Sequence, residues 1–241
     1  MEQVSGEFLA LGMIWYIVFL FSTTCHEASH ALAAKIGGDR TAFEGGQVSL
    51  NPMPHMTREP FGMLVVPILS YMLGGWMIGW ASAHYDPFWQ QRYPRRAAVM
   101  SLAGPAANFT LAFIAALGIH AGMAAGVFEA PAVVSFQKIT QVVEPETASG
   151  ILHFAAPFLS VLFFLNLLLG AFNLLPVPPL DGSTGVTLFM SERMAHRFLE
   201  VMGDPSFRIA GLMAAWLIFD RLFDPIFSIA LNVLYPGMNY Q

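Results

Sequence analysis

The chain has 241 residues, 56% of them hydrophobic and only 11% charged, with a mean hydropathy of +0.57. A soluble domain averages about 25% charged residues, so this composition excludes an ordinary soluble protein and describes an integral membrane protein. The formal charge of −5 comes with no basic stripe, which excludes nucleic acid as a partner, and the lone Cys25 excludes an intrachain disulfide.

The first apolar run, residues 8–34, exceeds the roughly 20 residues that a membrane helix needs. It does not read as a cleavable signal, because Glu2 and Glu7 stand where basic residues belong and the run outlasts a signal's apolar core. Gly37-Gly38-Asp39 stops it. Residues 42–56 are broken by Gly and Pro and read as short extended pieces. A second run, 61–82, contains Pro67 and Gly74-Gly75; a polar stretch, 84–96, carries Arg92, Arg95 and Arg96; a third run covers 97–119. Residues 120–150 are mixed, and a fourth apolar helix is expected over 153–175. Residues 184–202 read as an amphipathic interfacial helix, and 206–235 as one span or two shorter pieces around Asp220, Arg221 and Asp224-Pro225. The expected fold is therefore all-α and polytopic, with about four to six transmembrane or re-entrant helices and a small extended or β segment after the first helix. Residues 1–241 read as one domain, with a core over 8–182 and C-terminal helices over 184–235.

Ionisable groups inside an apolar helix are costly and mark function. The first run holds three of them, as His26-Glu27-x-x-His30. Residues four apart share a helical face, so His26 and His30 can aim two imidazoles at one zinc ion. Glu27 stands beside them as a base for an activated water. Cys25 points about 100° away from His26 and reads as a packing residue.

A catalytic zinc takes three protein ligands and keeps one position open. The candidate for the third is Asp181, which follows a proline-broken turn at the end of the fourth apolar run; the alternative is a cap on the next helix. Pairing Asp181 with the histidines fixes the parity of the chain. Both flanking helices must then run the same way, so one of the two runs between them must return to the side it entered. The run 61–82 is expected to be that hairpin, given Pro67 and Gly74-Gly75. Basic residues agree: Lys35, Arg40, Arg58, Arg92, Arg95, Arg96, Arg193 and Arg197 then share one face, against Lys138 on the other. The positive-inside rule makes the first face cytoplasmic and puts the metal near it.

The chain resembles the site-2 proteases, intramembrane zinc metalloproteases. The matching pieces are His26-Glu27-x-x-His30, Asn51-Pro52-x-x-His55, Ala103-Gly104-Pro105-x-x-Asn108, and Asn173-x-x-Pro176 leading to Leu180-Asp181-Gly182. They span about residues 8–182. The resemblance implies one Zn2+ per chain held by His26, His30 and Asp181, with Glu27 as general base. It implies that Asn173 helps stabilise the oxyanion, the other reading being an amide bonded to a freed helix-end carbonyl. Asn108 is expected to pack between helices beside Gly104. The implied partners are a transmembrane protein substrate and the lipid bilayer of the inner (plasma) membrane. A substrate helix must unwind to be cut, and segment 43–50 is the candidate strand to hold it by edge pairing; a plain interfacial loop is the alternative. Two departures stand out: Ser183 replaces a second glycine after Asp181, a mild change, and Ser82-Ala83-His84-Tyr85 follows Gly79-Trp80-Ala81 where short relatives have Lys-Pro-Val-Pro, which touches specificity rather than catalysis.

A non-catalytic helix-binding scaffold and a metal transporter are the competing readings. The intact Glu27 argues against the first. Scattered histidines and the lack of a second intramembrane acid pair argue against the second. Oligomeric state and the roles of His55 and His84 stay open.

Overall fold

The computed structural model describes residues 6–238 and 240; Glu2, used above against a cleavable signal, lies outside them. Among the described residues, three helices are long and apolar enough to cross a membrane: α1 (Gly6–Gly37), and two later ones at Pro94–Ala124 and Gly150–Asn173. After α1 come two short helices, α2 (Thr41–Glu44) and α3 (Met53–Arg58), then a π-turn over Phe61–Val65 running into α4 (Val66–Gly74). α5 (Pro87–Arg92) precedes α6 (Pro94–Ala124), and α7 (Gly150–Asn173) follows a two-stranded antiparallel sheet of β1 (Phe128–Glu129) and β2 (Gln141–Val142). α8 (Asp181–Gly185), α9 (Glu192–Met202) and α10 (Pro205–Leu234) complete the chain.

The relative directions of the long helices can be read from their contacts. His26 and His30 of α1 meet Asn108 and Met100 of α6 respectively, so the positions on α6 descend as those on α1 rise. α1 and α6 are antiparallel. Trp15 meets Phe164 and Ser22 meets Asn166, so α1 and α7 run together. Gly118 lies against Leu159 and Gly170 against the Phe109 ring; absent side chains there let α6 and α7 approach closely. Between the three helices sits a core of Trp15, Val18, Phe19, Ala115, Ile119, Val161 and Phe164, all nearly or wholly buried.

The run 61–82 does turn back. Phe61–Gly74 climbs along the first half of α1, with Met63 O accepting from Tyr16 and the Tyr71 hydroxyl donating to Phe8 O. Gly75 reverses the chain at φ +74, a left-handed conformation in which a Cβ is strained. The return segment, without regular secondary structure, comes back beside the helix, where Trp80 N donates to Gly62 O at 3.1 Å and Ser82 Oγ to Glu59 at 2.6 Å. Both ends of the hairpin are thus tied together at one end of the bundle. Its tip reaches the other, where Gly75 O accepts from Gln137.

One expectation changes and one open alternative is resolved. Segment 43–50 is not a strand: Phe43 and Glu44 belong to α2, and residues 45–50 form a turn and bends. Asp39 nucleates α2 by accepting from Thr41 N and Oγ1, and Gly46 turns the chain at φ +75. The small sheet lies later, between α6 and α7. The run 206–235 is one continuous helix, Pro205–Leu234, despite Pro225, because Phe219, Phe223 and Phe227 stack in a ladder that packs on Phe164 and Phe172 of α7. α9 carries its charges on one side, with Met194 and Val201 exposed, as an interfacial helix requires.

Candidate metal centre

His26 and His30 sit one turn apart on the buried side of α1. Their Nε2 atoms are 3.0 Å from one another. The chain returns to them through the loop after α7, which places Asp181 Oδ2 at 3.0 Å from His26 Nε2 and 3.2 Å from His30 Nε2. The third expected ligand therefore closes a triangle with the first two. Asp181 is the first residue of α8 rather than its cap, which is Leu180.

Two devices hold Asp181 there. The Ser101 hydroxyl of α6 donates to its carbonyl at 2.7 Å. Gly182 lets the chain fold against Leu174 and Leu175, where a Cβ would overlap their carbonyl oxygens. Burial works to raise the Asp181 carboxyl, but the neighbouring imidazoles of His30 and His26 outweigh it and hold it below the ordinary carboxylate range. It is ionised, as a ligand must be.

The histidine tautomers follow from their outer nitrogens. A carbonyl oxygen only accepts, so His30 Nδ1 carries the proton in its 2.7 Å bond to Met100 O. His26 Nδ1 likewise donates to Asn108 Oδ1 at 2.5 Å. In each ring Nε2 is then the nitrogen that turns toward Asp181. Met100, Gly104 and Asn108 are four apart in succession and form one stripe of α6. Gly104 is the floor of the site, since a Cβ there would overlap the Nε2 atoms of both His26 and His30. Asn108 is thus a partner of His26 and not an interhelical packing residue only. Its four-residue offset from Gly104 was the sequence signal for it, matching that of the two histidines.

These donors suit zinc. A tetrahedral zinc with bonds near 2.0–2.1 Å separates its ligands by about 3.3 Å, close to the 3.0–3.2 Å edges of the triangle. Glu27 is buried, and its carboxylate lies within 4.8 Å of the ligand atoms of both histidines. Asp181 Oδ2 lies 3.0 and 3.2 Å from the two Nε2 atoms, a spacing that fits a third donor to the same ion.

The remaining motif residues stand outside the triangle. Asn173 Nδ2 donates to Leu169 O, one turn back in its own helix. His55 is buried on α3 and its Nε2 donates to Ser49 O, shaping the bend at 48–50. His84 is tied through its backbone N–H to Gln47. Cys25, Ala28 and Leu32 of α1, Ala107 of α6 and Val48 and Leu50 line an apolar groove of about 500 Å³ alongside the histidine turn.

The model of peptidase family M50 matches residues 14–217. The chain belongs to peptidase family M50. As a member it is a metalloprotease by class, and the resemblance to the site-2 proteases holds. "Putative zinc metalloprotease YwhC" of Bacillus subtilis is 30% identical over 227 residues, covering 92% of this chain and 84% of the relative. "Putative zinc metalloprotease Rip2" of Mycolicibacterium smegmatis is 32% identical over 164 residues, 68% of this chain and 52% of that protein. No solved structure matches the chain significantly. The apolar helices of this M50 peptidase make it a membrane protein.

Proposed function

We propose that this protein is an intramembrane zinc endopeptidase that cuts peptide bonds within or near transmembrane segments of other membrane proteins. The observation that carries the reading is the triangle of His26 Nε2, His30 Nε2 and Asp181 Oδ2 inside a bundle of apolar helices. These three residues hold one zinc per chain. When bound, the zinc supplies Lewis acidity toward the scissile carbonyl and toward a water.

The chain's own residues do the rest. Glu27 accepts a proton from the attacking water and delivers it to the leaving amine nitrogen. Asn108 and Met100 O keep the two imidazoles in the donor tautomer. Asn173 has a second amide hydrogen beyond the one given to Leu169, and a shift of its side chain offers it to the developing oxyanion. The apolar groove beside α1 takes the unwound substrate segment. Among the described residues, Val48 and Leu50 on its wall have no backbone hydrogen-bond partner, which supports edge pairing from a bend rather than a strand.

The two ends of the bundle differ in charge. The end bearing the histidines and Asp181 carries the eight basic residues named above, so it faces the cytoplasm of a plasma (inner) membrane. The test is cleavage of a transmembrane substrate by purified protein in detergent or vesicles, wild type beside Glu27→Gln. Cleavage by the wild type alone supports the reading; equal cleavage by both sinks it.

A further inference from the structure

One set of buried polar groups links the metal ligands to a third helix. Ser22 of α1, Asn108 of α6 and Asn166 of α7 are all fully buried among apolar side chains. Such groups are costly unless every member is paired. Here they form one directed chain. Asn166 Nδ2 donates to Leu162 O at 2.9 Å and to Ser22 Oγ at 2.8 Å. Asn166 Oδ1 therefore faces the other way and accepts from Asn108 Nδ2 at 2.8 Å. That bond in turn aims Asn108 Oδ1 at His26 Nδ1.

The direction of this chain is fixed at its far end. Leu162 O is a carbonyl and can only accept, so the Asn166 amide cannot turn over without setting two acceptors face to face. Asn108 cannot turn over for the same reason. A flipped Asn108 would present N–H groups to His26 Nδ1, stabilising the tautomer whose proton sits on Nε2, where the metal must bind. We propose that Asn166 is a positioning residue for the metal centre: through Asn108 it locks His26 in the tautomer that leaves Nε2 free for zinc. This rests on the zinc reading above, and it gives α7, which supplies no ligand from within its helical span, a role in tuning one on α1.

Loss of an outer partner of a metal-bound histidine lowers metal affinity by about 10–100-fold. Asn166→Ala removes both the acceptor that holds Asn108 and the donor that fixes its sense. Leu165→Ala is the control: it truncates an equally buried neighbour on the same helix without touching the amides. Zinc affinity of the full chain in detergent is measured by chelator competition for wild type and both variants. In the metal-stripped protein, the nitrogen chemical shifts of labelled His26 report its tautomer. The expected result is a 10–100-fold weaker zinc site and a mixed His26 tautomer in Asn166→Ala, with Leu165→Ala near wild type in both. Should Asn166→Ala fail to fold, Asn166→Ser, which keeps a hydroxyl donor and acceptor in a smaller side chain, is measured the same way and is expected to fall between the two. Wild-type affinity and a pure Nδ1–H tautomer in the folded Asn166 variant would overturn the relay. A wild-type chain that binds no zinc would instead overturn the metal reading beneath it.

Discussion

His26 and Asp181 are 155 positions apart in the chain, yet His26 Nε2 lies 3.0 Å from Asp181 Oδ2. The contact requires α1 and α7 to run in the same direction, which in turn requires the segment 61–82 to leave and re-enter at one end of the bundle. The site and the topology are one constraint.

Asp181→Asn tests that constraint. Replacing the carboxylate removes one of three ligands and the negative charge that offsets the metal. Purified wild type is expected to hold about one zinc per chain, and the variant to bind it more than about 100-fold more weakly. Metal analysis after dialysis decides; full retention would remove Asp181 from the site.

Glu27→Gln separates holding the metal from using it. The amide fills the same volume but cannot take a proton. Zinc content should match wild type, while cleavage falls by about 10²–10⁴-fold. Loss of zinc together with activity would make Glu27 a ligand instead.

Gly104→Ala adds a single methyl group to a residue within α6. Alanine favours the helix over glycine, so helicity measured by circular dichroism should hold. The methyl overlaps Nε2 of both histidines, so zinc binding is expected to be lost. A variant with normal zinc would show that the imidazoles do not lie over Gly104.

Asn173→Ala tests the oxyanion role. Removing an oxyanion donor costs about 10²–10³ in turnover. The expected split is a lower kcat with KM and zinc content little changed, measured on a peptide spanning a cleaved bond. Unchanged kcat would leave Asn173 only its bond to Leu169.

Asp39 joins the end of α1 to α2 and α5, accepting from Thr41 N and Oγ1 and from Asp86 N. Burial works to raise its carboxyl, but these donors and the nearby His84 hold it below its ordinary value. Its folded-state pKa is thus depressed, so its contribution to stability is present above the unfolded value of about 3.9 and is lost as pH falls through the lower folded one. Asp39→Ala leaves the Asp86 N–H unpaired and should cost about 1–3 kcal/mol at neutral pH, read from the thermal midpoint in detergent. Below that pH window the gap between variant and wild type should narrow, since the ionised carboxylate's share is lost; a constant gap down to pH 2 would argue against the linkage.

The sequence by itself determined the membrane class, because apolar runs of this length have no other solvent. It also determined the pair His26 and His30, since four-residue spacing on one helix is a local property. Asp181 was legible one step further, from the ligand count of zinc and the parity it forces. The tertiary structure decided what depends on two segments meeting. Gly104 and Asn108 belong to the metal centre because α6 crosses α1 at that turn, and nothing within α6 alone announces which neighbour it faces. Asn166 became part of the site only through Asn108. The bend at 48–50 replaced an expected strand where His55 bonds the Ser49 carbonyl and Gln47 ties the segment to Ser82, contacts that no local pattern displays. Local periodicity and spacing are written along the chain, whereas the direction of a buried amide is set by the one carbonyl it meets across the bundle.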